Sequence, residues 1–199
     1  MEITAAAVNE LRKLTGAGMM DCKKALQEAK GDIVEATDIL RKKGLASLAK
    51  RAGKEAKEGV IDSYIHAGGK IGVLVEVNSE TDFVARSEDF RQFAHDVALQ
   101  IAAGNPLYVS REDVPDDVIQ KEMDIYRAQG AEEGKPENVL DKIAAGRLEK
   151  YFQQVVLMEQ AFVKNPDITI KDYLGEVAAK LGENIGVRRF VRYELGETI

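Results

Sequence analysis

The chain has one cysteine, Cys22, and two histidines, His66 and His95, in 199 residues. A single thiol excludes an internal disulfide framework and suits the reducing cytosol, so a cytoplasmic protein is expected. Two histidines without paired ligand spacing give no expected metal centre, and no cofactor motif accompanies them. No apolar run approaches the roughly 20 residues that a membrane helix needs. Met1-Glu-Ile-Thr4 has neither the basic nor the apolar region of a signal peptide. Positive charge is not in excess either: 28 basic residues face 34 acidic ones, for a net charge of −6. Nothing global therefore favours nucleic acid or an anionic membrane as a partner. Also missing are Gly-x-Ser-x-Gly, a phosphate loop and a dinucleotide fingerprint. The many acids read as solvent-facing, so the chain reads as a binder and not an enzyme.

What is present is enough apolar content, 45% of residues, for one medium domain or two small ones. Residues 1–45 read as three short helices. Thr4 can cap the first, which carries Val8, Leu11 and Leu14 and stops at Thr15-Gly-Ala-Gly18. Met19, Cys22, Ala25, Leu26 and Ala29 mark the face of the second, ended by Gly31. Asp32 with Glu35 opens a third that turns Ile33, Ala36, Ile39 and Leu40 inward, with Gly44 past its end. The Gly-x-Gly before a helix lacks a preceding strand and a following Gly-Lys-Ser/Thr, so it is no phosphate loop. Neighbours on a helix lie about 100° apart, so Met19 and Met20 cannot both face the core. One of them is expected near the surface, where an adaptable thioether suits a contact. Cys22 sits at core spacing and reads as structural.

Residues 46–59 form a basic linker within a stretch that collects Lys42, Lys43, Lys50, Arg51, Lys54 and Lys57. It lacks the aromatics that would stack on bases. Residues 60–199 read as an α+β core with a small antiparallel three-stranded sheet. Val60–His66 and Ile71–Val77 flank Ala67-Gly-Gly-Lys70 as a hairpin, and Gly186–Leu195 supplies the third strand. On alternation, Val73, Val75, Val77, Val191 and Tyr193 face the helices, while Ile61, Ile65, Leu74 and Phe190 face away. A sheet apolar on both faces needs two covers, and a second copy about a two-fold axis would supply one. A homodimer is therefore expected. Arg188, Arg189 and Arg192 read as a basic strand face. Helices are expected over residues 87–103, from Pro115 to Gln129, and from Pro136 along Leu140, Ile143, Leu148, Tyr151, Phe152, Val155 and Phe162. The last, capped by Thr169 and Asp172, ends at Gly182.

One stretch stands apart: Asn78-Ser-Glu-Thr-Asp-Phe-Val-Ala-Arg-Ser-Glu-Asp-Phe90. Ser79 or Thr81 can cap a helix here. If a single helix runs from Thr81, then Phe83, Ser87, Phe90 and Ala94 share a buried face. If Ser87 starts a new helix, Phe83 is stranded in a short turn, where a large apolar group means a partner. Spacing leaves both readings open.

Thr81-Asp-Phe-Val84 after a strand resembles the Thr-Asp-Phe-Val motif of the bacterial elongation factor Ts family. Leu11-Arg-Lys-Leu-Thr-Gly-Ala-Gly-Met-Met-Asp-Cys-Lys-Lys-Ala-Leu26 is similar to that family's N-terminal signature. Glu133-Gly-Lys-Pro136, Gly146-Arg-Leu148, Glu159-Gln160 and Arg188-Arg-Phe-Val-Arg192 extend the likeness along the chain. The resemblance implies a ubiquitin-associated-like helical module followed by the α+β core. It implies a guanine-nucleotide exchange factor that binds elongation factor Tu, GDP-bound or nucleotide-free, disturbs its magnesium and phosphate site and promotes GDP release. Thr81, Asp82, Phe83 and Val84 would act at the magnesium site, with Phe83 as the wedge, and Arg12, Met19 and Met20 would be contacts of the N-terminal module. Resembling chains in many bacteria are longer, with a second core half for which this chain has no room. The rival reading is a ubiquitin-associated-type adaptor that binds peptides or nascent chains through the Gly-Met turn. It leaves Thr81–Val84 without a role.

Overall fold

A computed structural model describes residues 3–51 and 54–198. Met1 and Glu2 of the N-terminal reading, and the side chains of Lys50 and Arg51 of the basic stretch, lie outside that description. Three helices open the chain: α1 (Ala5–Thr15), α2 (Met19–Glu28) and α3 (Ile33–Arg51). The Thr4 hydroxyl accepts from the Ala7 N–H at 3.3 Å, and Asp32 Oδ1 accepts from the Glu35 N–H at 2.8 Å. Each bond satisfies one amide that a helix start leaves without an intrahelical acceptor. Val8, Leu11, Cys22, Ala25, Leu26, Ala36 and Leu40 close into a core of their own. Cys22 is buried, as its spacing predicts.

Gly44 corrects the expected helix end. It lies inside α3, buried, where α3 crosses a later helix, α8 (Ile170–Leu181). A Cβ at Gly44 would stand 2.7 Å from the Gly175 carbonyl oxygen and 3.1 Å from the Ala179 side chain. The glycine serves close approach of the two helices rather than a helix stop. In an exposed helix, glycine-to-alanine gains about 1 kcal/mol. Gly44→Ala is expected to do the reverse, because overpacking against rigid backbone costs about 1–3 kcal/mol. A lowered thermal midpoint is the expected result, and a raised one would show that the two helices are not in tight contact.

The core begins with an antiparallel hairpin, β1 (Glu58–Ile65) and β2 (Ile71–Ser79). The last strand, β5 (Gly186–Glu194), pairs antiparallel with β2, so the order is β1-β2-β5 with β2 central. A one-turn helix, α4 (Asp82–Ala85), and then α5 (Glu88–Gly104) follow β2. Helix α5 lies on the inner face of the hairpin and α8 packs on α5. Val73, Val75, Val77, Phe90, Phe93, Val97, Ile101, Ile170 and Leu174 belong to one buried cluster there.

The expected faces of β5 are corrected by a β-bulge. Val77 pairs with Val187 but its neighbour Glu76 pairs with Arg189, which leaves Arg188 as the extra residue. One inserted residue reverses the alternation beyond it. Phe190 therefore packs on the buried cluster, while Val191 and Tyr193 join Ile61, Ile65 and Leu74 among the exposed residues. The basic triplet is split in the same way. Arg188 and Arg189 reach Glu76 at 3.7 and 2.8 Å, whereas Arg192 is turned inward and pairs with Glu194 at 2.8 Å. The Arg189 hydrogen bond holds the Glu76 carboxyl below the usual carboxylate range.

Between α5 and α8 stand α6 (Asp116–Glu132) and α7 (Glu137–Val155), which pack on each other. Arg111 ties the base of this pair to the core. It donates to Glu149 at 2.5 Å and to Glu159, and lies 4.5 Å above the Phe152 ring. Helix α7 ends at Val155, so Phe162, expected along it, falls instead in a short ribbon of β3 (Ala161–Phe162) and β4 (Asn165–Thr169). Buried amides fix this ribbon: Gln100 donates to Gln160 at 3.0 Å and accepts from the Val163 N–H at 2.8 Å. Asp96 departs from the solvent-facing reading of the acids. It is buried and accepts from Lys164 at 2.6 Å, Gln92 at 2.8 Å and Tyr173 at 3.0 Å.

Candidate partner-binding surface

Ser87 decides between the two readings of Phe83. Its hydroxyl accepts from the Phe90 N–H at 3.3 Å and donates to the Val84 carbonyl at 2.7 Å. That cap starts α5 and confines Asp82–Ala85 to a single turn of its own, α4. Phe83 is left 81% exposed, the most exposed of the large apolar side chains of the described residues. The next two residues, Val84 and Ala85, are buried in the main cluster. The turn is thus pinned by an apolar foot and offers one bare ring to solvent. A ring so placed gains almost nothing from the fold, since only apolar surface removed from water stabilises.

Polar contacts fix the other side of the turn. The Thr81 hydroxyl caps α4 by accepting from the Val84 N–H at 3.4 Å. The same hydroxyl donates to Glu183 Oε1 at 2.6 Å, and the Thr81 N–H donates to Glu183 Oε2 at 3.1 Å. Ser79, the other expected cap, is buried and donates instead to the Thr81 carbonyl at 2.9 Å. Asp82 pairs with Arg86 at 2.8 Å, both of them exposed, beside Phe83. Of the four residues singled out in this motif, Thr81, Asp82 and Phe83 are exposed, and Val84 is an internal anchor.

The second group lies on the helical module. Gly16 ends α1 at φ +67°, a conformation that L side chains rarely adopt, and the stem of Lys180 runs within 3.0 Å of where its Cβ would be. Lys180 continues to Asp89 at 2.6 Å, so the turn is braced on both α8 and α5. Beyond it Met19 and Met20 are 47% and 63% exposed, and Arg12 is exposed as well. Both methionines face out, where the sequence reading placed only one. Leu14, expected inward, is 66% exposed at the end of α1. Its distance from Leu11 places it at helical spacing, but α1 stops one residue later, at Thr15. Leu14, Gly18, Leu40 and Gly44 help line a cleft of about 270 Å³ between module and α8. Burial raises the Glu176 carboxyl there above the usual carboxylate range.

The two groups stand on different hydrophobic clusters. Arg12, Met19 and Met20 belong to the module with its own core, and Thr81–Val84 to the sheet core. Glu183 is the residue that sequence reasoning missed. It follows the Gly182 helix end, and no local signal joins it to Thr81 across 102 positions. The histidines find polar partners, His95 with Asp62 at 3.2 Å and His66 with the Tyr64 hydroxyl at 3.1 Å. Among the described residues no group of three or more His, Cys, Asp or Glu could hold a metal ion, and no helix is long and apolar enough to cross a membrane.

A family profile described as "Elongation factor TS" matches residues 2–197. The chain is 63% identical to elongation factor Ts of Carboxydothermus hydrogenoformans over 195 residues, which covers 98% of this chain and 90% of that protein. It is 62% identical to elongation factor Ts of Moorella thermoacetica over 197 residues, 99% of this chain and 97% of the other. With elongation factor Ts of Geobacter sulfurreducens it shares 58% identity over 197 residues, 99% and 91% of the two chains. On a match that runs nearly end to end, this chain belongs to the elongation factor Ts family.

Proposed function

We propose that this chain releases GDP from elongation factor Tu by pressing Phe83 into the partner beside its bound magnesium. Membership of the family supports a role in translation elongation. The observation that carries the finer reading is the bare ring of Phe83 on an otherwise anchored turn. In a GTPase the nucleotide is held through its phosphates by backbone N–H groups and by a magnesium ion that keeps few protein ligands. An aromatic that enters beside this ion displaces what supports it, and GDP loses affinity. Linkage makes the effect reciprocal: GDP must loosen the factor by the same factor that the factor loosens GDP. No bond is made or broken, so the chain cycles in the cytoplasm as an exchange factor and not as an enzyme.

Arg12, Met19 and Met20 on the module form the second grip in this reading, with Asp82 orienting the first. The two hydrophobic clusters support a proposed division into a docking module up to residue 45, a basic linker over 46–59 and a core from residue 60. A second copy is proposed to cover the exposed outer face of the sheet.

Release of a fluorescent GDP analogue from elongation factor Tu, chased with excess GDP, tests the proposal. Acceleration by catalytic amounts of the chain is expected, and a release rate unchanged by saturating chain would overturn it. A fragment starting at Glu58 is expected to fold, because the main cluster draws on no residue before Val60. It is expected to bind elongation factor Tu at least about tenfold more weakly, the loss of about 1.4 kcal/mol. Full-strength binding by the fragment in titration calorimetry would remove the module's grip.

A further inference from the structure

We propose that Glu183 is the positioning residue for Phe83: its carboxylate orders the turn that presents the ring. The proposal rests on the exchange reading above and deepens it. A helix of one turn has too few internal hydrogen bonds to hold its own conformation, so its orientation depends on what grips its ends. Phe83 cannot supply the grip, being 81% exposed. The C-terminal end is fixed by the buried Val84 and Ala85. At the N-terminal end, both oxygens of Glu183 are engaged by Thr81, one by its N–H and one by its hydroxyl.

The direction of these bonds matters. A hydroxyl has a single proton, and Thr81 gives it to Glu183 at 2.6 Å. Its lone pairs are then aimed at the Val84 N–H, which is the cap that starts the turn. Without the carboxylate the hydroxyl is free to rotate, and the cap has to compete with water. A second, reciprocal strap runs the other way. Glu80 accepts from the Asn184 N–H at 2.6 Å, and the Asn184 amide donates to the Lys54 carbonyl at 2.9 Å. The turn before Phe83 and the loop after α8 thus each grip the other by a carboxylate. Bonds to an ionised acceptor are roughly twice as strong as neutral ones.

The chain has no tryptophan, so Phe83→Trp places a single reporter at the tip of the turn. Its fluorescence anisotropy in the full-length free chain reads the order of the turn without any partner. Glu183→Ala in this background is expected to lower the anisotropy. Glu183→Gln, which keeps one acceptor oxygen, is expected to fall between alanine and the parent. With Phe83 restored, Glu183→Ala is expected to lower the maximal GDP release rate at saturating factor by about tenfold or more, the usual cost of a misplaced group. Its affinity for elongation factor Tu should change by less than about twofold, a few tenths of a kcal/mol. Unchanged anisotropy in Glu183→Ala overturns the proposal. So does a loss of affinity at unchanged maximal rate, which would make Glu183 a contact. Lowered anisotropy with no effect of Phe83→Ala on GDP release upholds the positioning and removes the exchange reading instead.

Discussion

Phe83→Ala is expected to slow factor-stimulated GDP release from elongation factor Tu by about 30-fold or more while leaving the thermal midpoint of the free chain nearly unchanged. An aromatic that fills a partner's pocket is worth about 2 kcal/mol or more on truncation, and that is about 30-fold. The stability side follows from exposure: a ring 81% open to solvent has little burial to lose. A buried Phe→Ala change would instead cost about 3–5 kcal/mol, which Phe90 and Phe93, both fully buried, are expected to show. The pair of outcomes separates a wedge from a core residue. Fast GDP release by a stable Phe83→Ala chain would end the wedge proposal.

Leu74→Glu is expected to turn a dimer into a monomer. Leu74, Ile61, Ile65, Val191 and Tyr193 are exposed on the sheet, a five-residue apolar set left uncovered among the described residues. Two copies about a two-fold axis would bring each set against itself, so one substitution enters the interface twice. An unpaired carboxylate trapped there costs at least about 3 kcal/mol, about 100-fold in association. Light scattering after gel filtration should give twice 21.9 kDa for the parent chain and 21.9 kDa for the variant. Because Leu74 is already half exposed in the single chain, its own fold should not suffer. A parent chain of monomeric mass at micromolar concentration would remove the dimer.

Most helices and all three strands of the main sheet were legible because their signals are local. Caps such as Thr4, Asp32 and Thr169 announce themselves by spacing, and β2 alternates without interruption. The turn at Phe83 was legible only as a choice, since its outcome hung on one hydroxyl, that of Ser87. What the sequence could not show was set by contacts distant along the chain. Gly44 looks like any helix end until Gly175 is brought against it. The bulge at Arg188 reverses a strand that reads as regular, because the extra residue exists only relative to Glu76 and Val77 on the partner strand. The outward-facing Leu14 and the second exposed methionine have the same origin, for a helical period tells which residues share a face but not whether anything covers it.

The bond from Thr81 to Glu183 also sets an order of events during synthesis. A ribosome adds about 5–20 residues per second, so the 102 residues added after Thr81, up to and including Glu183, take about 5–20 s to appear. During that interval α5 is added first, while Ile170, Leu174 and Val177 of α8, which share Val84's cluster, come only near its end. The carboxylate that aims the Thr81 hydroxyl is not yet there, and neither is β5, the strand that completes the sheet. The turn bearing Phe83 is laid down early and trued late, so a chain cut short before Glu183 would display the ring without its aim.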